Sequence, residues 1–218
     1  ELRYQSADGE EGFPGNLDVR VSYRLEGTAL RIECSATSDA PTVVSLASHA
    51  YWNLEDGGAS PILDHALWIA ASHYTPVDAS GIPTGRIAPV AGTPFDFTTP
   101  HPIGARIAAL IAERGGYDHN FALDCAGDLT RPAARLHAPR CGRVLAVSTT
   151  LPGLQLYSGS CFDGTQHFRS GVATPRFGAV ALETQHFPNA PNEAGFPPAR
   201  LLPGERYAHT TVYSFDRD

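Results

Sequence analysis

The 218-residue sequence contains no methionine and relatively few basic residues. Because translated chains begin with methionine, we expect these residues to belong to a longer protein. With 16 Lys and Arg against 23 Asp and Glu, the net charge is −7, which does not favour nucleic acid or an anionic membrane as a partner. There is no apolar run of about 18 residues, and the opening residues lack the pattern of a signal peptide.

The sequence also lacks the spacings that mark metal, nucleotide and hydrolase sites. Its nine histidines and four cysteines occur singly, without an HxH, HExxH or CxxC pattern, so no metal is expected. P-loop, GxGxxG and GxSxG motifs are absent. Cys34 falls on the apolar side of a strand pattern, which predicts a buried thiol. A chain of this length does not need disulfides, so we expect a reducing, cytoplasmic setting.

Glycine and proline are abundant and spread along the whole chain, with 21 and 18 residues. This favours short strands joined by turns, and an all-β fold of this size commonly forms one domain. We therefore predict a single domain over residues 1–218. Strands are predicted at 17–25, 30–36, 42–49, 66–71, 120–123, 133–137, 143–150, 154–157, in the run before residue 186, and at 208–215. The one predicted helix runs from Ile103 to Arg114 and ends at Gly115-Gly116.

Glu183 stands near the end of a mostly apolar run that starts at Phe177. Such a run predicts a buried strand, and a carboxylate within it is costly unless it is hydrogen-bonded, paired or used in chemistry. Pro188 and Pro191 follow, so the strand ends beside an ordered turn, where a scaffold commonly presents a catalytic group. Glu183 is a candidate general acid or base, and a structural glutamate satisfied by backbone donors is the alternative.

His49 ends the β-branched run that starts at Thr42, and Tyr51 and Trp52 follow it. An imidazole can give or take a proton near neutral pH, which suits a general acid. Trp52 offers a flat apolar face of the kind that packs on sugar rings. The alternative for His49 is a core histidine packed against aromatic side chains.

Two further segments carry polar groups suited to binding. The bend from Gly115 to Phe121 holds Asp118, His119 and Asn120 behind two glycines, and this density of polar groups favours a substrate-binding role over a simple polar turn. Gln155 is a lone amide among apolar residues, a position suited to a directed hydrogen bond.

Taken together, the ordered segments of this chain resemble the galactose mutarotase (aldose 1-epimerase) family. The resemblance runs from about Asp8 to Phe215, and so many matches in order make it specific. The segments that carry it are Asp8 to Leu17, Ser48 to Leu54, Tyr74 to Asp78, Ile82 to Gly85, Gly92 to Phe97, Gly116 to Phe121, Pro152 to Gly159 and Leu182 to Pro188. It implies a large antiparallel β-sandwich with an open sugar cleft.

The resemblance also implies a reaction and roles for four residues. The reaction is interconversion of the α and β anomers of a free aldohexose such as galactose or glucose, with Glu183 as general base and His49 as general acid. Asp118 resembles the carboxylate that binds sugar hydroxyls, and Gln155 the amide that helps to hold the substrate. The chemistry needs only proton transfer and no cofactor. The implied partner is a monosaccharide, and we expect a monomer or a homodimer.

Two departures from the family pattern are visible. Ser48 stands where the motif around the acid usually begins with Asn. Family members also carry an upstream region with a further active-site histidine in a Leu-His-Gly-Gly setting and an arginine in an Asn-Arg pair, and neither motif occurs in these 218 residues. Since a sandwich without its first strands would expose sheet edges, we expect the N-terminal strands to lie in sequence that is not included here.

Two other functions compete with an epimerase. A glycoside hydrolase would use Asp118 and Glu183 as paired carboxylates, with His49 uninvolved. A catalytically silent sugar-binding module on the same fold would bind the sugar and leave anomer exchange at its spontaneous rate. A sugar-phosphate epimerase is disfavoured because no Arg or Lys cluster lies near the site segments.

Overall fold

The computed structural model describes residues 1–125, 127–168 and 171–218. Its strands are β1 (Leu2–Ser6), β2 (Leu17–Glu26), β3 (Ala29–Ser38), β4 (Thr42–Val43), β5 (Tyr51–Trp52), β6 (Ala66–Ile69), β7 (His73–Tyr74), β8 (Ala88–Pro89), β9 (His101–Pro102), β10 (Asp118–Ala122), β11 (Ala134–Ala138), β12 (Arg143–Thr149), β13 (Gly153–Tyr157), β14 (Val180–Gln185), β15 (Arg200–Leu201) and β16 (Tyr207–Arg217). Helix α1 is Ala108–Arg114, and short 3-10 helices span Glu10–Gly12, Ile62–Asp64, Ile103–Ala105 and Ala190–Asn192.

The strands form two large antiparallel sheets. The eight-stranded sheet has the order β1-β2-β3-β16-β12-β11-β6-β9, and the six-stranded sheet has the order β5-β14-β13-β10-β7-β8. Strands β15 and β4 form a separate two-stranded pair. The prediction of an all-β antiparallel fold with few short helices is confirmed.

The core lies between the two large sheets. Leu154, Leu156 and Leu182 from the six-stranded sheet share one buried cluster with Leu136 and Tyr213 from the eight-stranded sheet. Because side chains alternate along a strand, the opposite face of the six-stranded sheet is left for other residues. That face carries the candidate site.

Strand prediction succeeds where alternation is regular, misses β1 and is wrong in one predicted segment. The hairpin of β2 and β3, the Glu183 strand and the closing strand β16 are confirmed. The predicted strand from Thr42 to His49 is wrong, because only Thr42–Val43 pairs. After Val43 the backbone finds single partners instead: Val44 N–H donates to the Ala199 carbonyl at 2.9 Å, and Leu46 N–H donates to the Tyr207 hydroxyl at 3.2 Å.

The predicted helix is present in a shorter form. Residues Ile103–Ala105 form a 3-10 turn, and α1 covers only Ala108–Arg114. Gly115 ends it as predicted, with φ 75° and its N–H bonded to the Ile111 carbonyl. In the described parts of the chain, no helix combines the length and apolarity that crossing a membrane would require.

Truncating a core leucine should destabilise the fold strongly. Leu156 is fully buried in the inter-sheet cluster, so Leu156→Ala should lower the free energy of unfolding by about 2–5 kcal/mol, measured by urea denaturation. The control is Leu25→Ala, because the Leu25 side chain is 80% exposed. Similar losses in the two variants would contradict this placement of the core.

Candidate active site

The centre of the site is a row of polar residues across three neighbouring strands. Glu183 on β14 pairs directly with Gln155 on β13, and Gln155 pairs with Asn120 on β10. Directly opposed residues in an antiparallel sheet point to the same face. On β14, Leu182 and Thr184 face the core and are buried, while Glu183 and Gln185 lie on the other face and are partly exposed.

His49 reaches Glu183 because a strand ladder opens just before the two residues. Strand β5 pairs with β14 at Trp52–Val180 and Tyr51–Ala181 only. Continuing the same register would set His49 opposite Glu183, but the chain from Val44 to Ala50 is not a strand. The two side chains still face each other, with 3.5 Å between His49 Nε2 and Glu183 Oε1.

Burial controls the electrostatics of Glu183. Its side chain is 13% exposed, while that of His49 is 50% exposed. Burial raises the pKa of Glu183, the charge of His49 lowers it, and the charge of Asp118 adds to the rise. Glu183 is thus a largely buried carboxylate whose acid/base partner, His49, is accessible to solvent.

A chain of amides fixes the groups beside Glu183. Gln155 Nε2 donates to Asp118 Oδ1 at 2.7 Å, and Gln185 Nε2 donates to Gln155 Oε1 at 3.2 Å and to Asn120 Oδ1 at 3.3 Å. Because the Gln155 oxygen is occupied by a donor, its NH2 group is directed towards Asp118. The face therefore presents an oriented carboxylate and amide next to Glu183.

Aromatic rings border the site on the side of His49. The His49 ring lies 4.8 Å from Tyr51 and 6.0 Å from Tyr157, measured between ring centroids. Tyr51 in turn contacts Phe162 at 4.9 Å. Rings of this kind can cover the apolar face of a small ligand.

The expectation that Trp52 packs on a sugar is wrong. Trp52 follows Tyr51 on β5 and therefore points to the opposite face. Its ring packs against Tyr213 and Phe215 of the eight-stranded sheet, at centroid distances of 5.2 and 5.6 Å. Tyr51 is the ring that borders the site.

The polar bend at Gly115 to Phe121 is divided between the two faces of β10. Asp118 and Asn120 join the amide chain. His119 is buried, with its ring 4.4 Å from that of Phe95, and burial lowers its pKa to about 4. It is therefore uncharged near neutral pH and lies away from Glu183.

The structure brings together the four residues to which the resemblance gave roles, and it adds two. His49, Glu183, Asp118 and Gln155 lie on one face of the six-stranded sheet. The additions are Tyr157 and Gln185, and Asn120 of the predicted polar bend joins them. Each lies two positions after a residue already named, so the period of two in β-strands is the signal that identifies them.

A family model described as aldose 1-epimerase matches residues 1–214. The chain is 44% identical to the galactose mutarotase of Sus scrofa over 215 residues, which are 99% of this chain and 62% of that protein. It is 40% identical to the aldose 1-epimerase of Escherichia coli K12, covering 96% of this chain and 62% of the relative.

Solved structures agree with the family match. An aldose epimerase homologue from C. elegans superposes with a TM-score of 0.86 at 28% identity, covering 99% of this chain and 64% of that one. A galactose 1-epimerase from Lactobacillus acidophilus gives 0.84 at 31% identity, covering 99% and 62%. The chain thus spans 60–62% of the length of the curated relatives it matches. It belongs to the aldose 1-epimerase family.

Proposed function

We propose that this protein is an aldose 1-epimerase, or mutarotase, that interconverts the α and β anomers of free aldohexoses such as galactose and glucose. The observation that carries the proposal is the 3.5 Å approach of His49 Nε2 to Glu183 Oε1 on an open sheet face. The anomeric hydroxyl and the ring oxygen are bonded to the same carbon. An acid and a base held this close can therefore serve both oxygens at once.

In the proposed reaction Glu183 removes the proton of the anomeric hydroxyl while His49 gives a proton to the ring oxygen. The bond between the anomeric carbon and the ring oxygen breaks, which leaves an open-chain aldehyde. Rotation about the adjacent carbon–carbon bond presents the other face of the carbonyl. On closure His49 takes back the proton from the attacking hydroxyl and Glu183 returns one to the aldehyde oxygen, so both groups regain their starting states.

The neighbouring groups would hold the sugar for these transfers. Asp118 is exposed and accepts from Gln155 through Oδ1, so its second oxygen can accept a hydrogen bond from a sugar hydroxyl. Gln155 is oriented by Gln185, which fixes where its amide can meet the substrate. We propose that Tyr51 and Tyr157 cover the apolar face of the ring.

The proposed setting follows from charge and thiol chemistry. A net charge of −7 suits a neutral monosaccharide and does not attract nucleic acid or an anionic membrane. Cys34, expected to be buried, is only partly buried, and all four cysteines are free thiols, which suits a reducing cytoplasm. We propose that the protein acts there as a monomer or a homodimer.

Removing the base or the acid should strongly reduce the acceleration of anomer exchange. We expect Glu183→Gln and His49→Gln each to lower kcat/KM by about 100- to 10,000-fold, because each removes one proton-transfer group. The measurement is polarimetry on freshly dissolved α-D-galactose and α-D-glucose, with Glu11→Gln as a surface control of the same chemical change. A folded wild-type chain that leaves exchange at its spontaneous rate would contradict the proposal.

Chelation should leave this activity unchanged. The proposed steps are proton transfers among Glu183, His49 and the sugar, so EDTA should not alter the rate of exchange by polarimetry. EDTA presaturated with Ca²⁺ controls for ionic effects. A rate that falls with EDTA and recovers with a divalent cation would show that the cofactor-free mechanism is wrong.

The ionised carboxylate of Glu183 should lower the free energy of unfolding at neutral pH. Because burial raises its folded-state pKa above the ordinary 4.5, the folded protein binds this proton more tightly than the unfolded chain. Stability is then lost as the pH rises from the unfolded-state pKa through the folded-state pKa. We expect Glu183→Gln to need more urea than wild type to unfold at pH 7, with the difference shrinking towards pH 4.

The control for this stability test is again Glu11→Gln, in which the exposed carboxylate lies on the surface. It should track wild type at both pH values. A Glu183→Gln variant that is less stable than wild type at pH 7 would mean that the carboxylate gains more from its partners than it loses by burial.

A further inference from the structure

One buried phenol lies where the ladder between β5 and β14 opens. Tyr213 belongs to β16 in the eight-stranded sheet, and its side chain is fully buried. Its hydroxyl donates to the Leu182 carbonyl at 3.2 Å. Leu182 is the first residue of β14 beyond the last pairing with β5 and immediately precedes Glu183.

The same phenol contacts the segment that carries His49. The Tyr213 ring packs on Trp52 with 5.2 Å between ring centroids. Burial raises the pKa of Tyr213, while the Ser48 side chain acts on the phenol oxygen in the opposite sense, as a hydrogen-bond donor does. The phenol therefore stays protonated at neutral pH and remains a donor to Leu182.

These contacts reach the neighbours of both members of the acid/base pair. Trp52 lies three residues after His49 in the chain, and Leu182 adjoins Glu183. Among the described residues, β5 and β14 pair only at Trp52–Val180 and Tyr51–Ala181, so contacts from other strands help to set the separation of the two segments. We propose that Tyr213 is a positioning residue that fixes the separation of His49 and Glu183, an inference that rests on the proposed epimerase function.

Tyr213 acts from the core side and does not meet the sugar. The charges of His49 and Asp118 act on the pKa of Glu183. The charge of Glu183 in turn raises the pKa values of Tyr51 and Tyr213. Among them His49 favours the carboxylate form. If the loss of the Tyr213 hydroxyl lets His49 move away, the pKa of Glu183 should rise.

Tyr213→Phe is the direct test because it keeps the ring and removes only the hydroxyl. The fold has other ties between the same segments: Tyr207 holds Leu46, and the hydroxyls of Thr184 and Thr211 lie 2.6 Å apart. We expect kcat to fall about 10- to 100-fold with little change in KM, since misplacement of a reacting group by about 1 Å has this order of effect. The acidic limb of the kcat profile should move to higher pH.

The matched control is Tyr117→Phe. Tyr117 is also a fully buried phenol that donates to a backbone carbonyl, that of Pro94 at 3.0 Å. Both variants should lose similar thermal stability, but only Tyr213→Phe should change kcat and its pH profile.

A second readout does not depend on turnover. Carbon-13 NMR of labelled glutamate, with the Glu183 signal assigned by its absence in Glu183→Gln, gives the titration of this carboxyl in each variant. A higher Glu183 pKa in Tyr213→Phe, with no change in Tyr117→Phe, supports the positioning role. If that result is found and no variant accelerates anomer exchange, only the epimerase proposal fails. Unchanged Glu183 titration and a kcat equal to that of Tyr117→Phe would overturn the inference.

Discussion

A carboxylate held in a largely dry setting beside an imidazole is the constraint on which the rest of this structure depends. Glu183 is 13% exposed and lies 3.5 Å from His49. Burial favours its neutral form, and the nearby imidazole favours its charged form. The proposed chemistry needs both influences: burial makes the carboxylate a stronger base, and the partner keeps it ionised when a proton has to be taken.

The two faces of the six-stranded sheet meet this constraint separately: one face packs in the core, and the other carries the polar groups of the site. The inner face of β14 carries Leu182 and Thr184 into the core, and the outer face carries Glu183 and Gln185. Each polar side chain on the outer face has a neighbour on the next strand, so the amides orient one another and Asp118. The position of the proposed site thus follows from the same alternation that builds the core.

Much of this could be predicted from the sequence, and the failures have specific physical causes. Regular alternation of apolar and polar residues predicts the β2–β3 hairpin, because successive residues of a strand face the core and the solvent in turn. The predicted strand begins with the β-branched run Thr42 to Val44, yet the chain after Val43 is not a strand. Its backbone donors go to Ala199 and Tyr207, which no local pattern reveals.

In the candidate site, too, some features can be predicted from the sequence and others depend on contacts between distant residues. Glu183 is visible as a carboxylate in an apolar run, but its partnership with His49 came from the family resemblance, since the two are far apart in sequence. The direction of Trp52 cannot be predicted, because two adjacent aromatic residues leave the direction of each undecided. Only the pairing of Tyr51 with Ala181 settles it.

The opened ladder between β5 and β14 makes the number of residues near His49 matter as well as their side chains. His49 meets Glu183 only because it lies two residues before Tyr51, as Glu183 lies two after Ala181. One inserted or deleted residue between His49 and Tyr51 would move the imidazole out of the register that sets it opposite Glu183. Over evolutionary time this stretch should therefore keep its length.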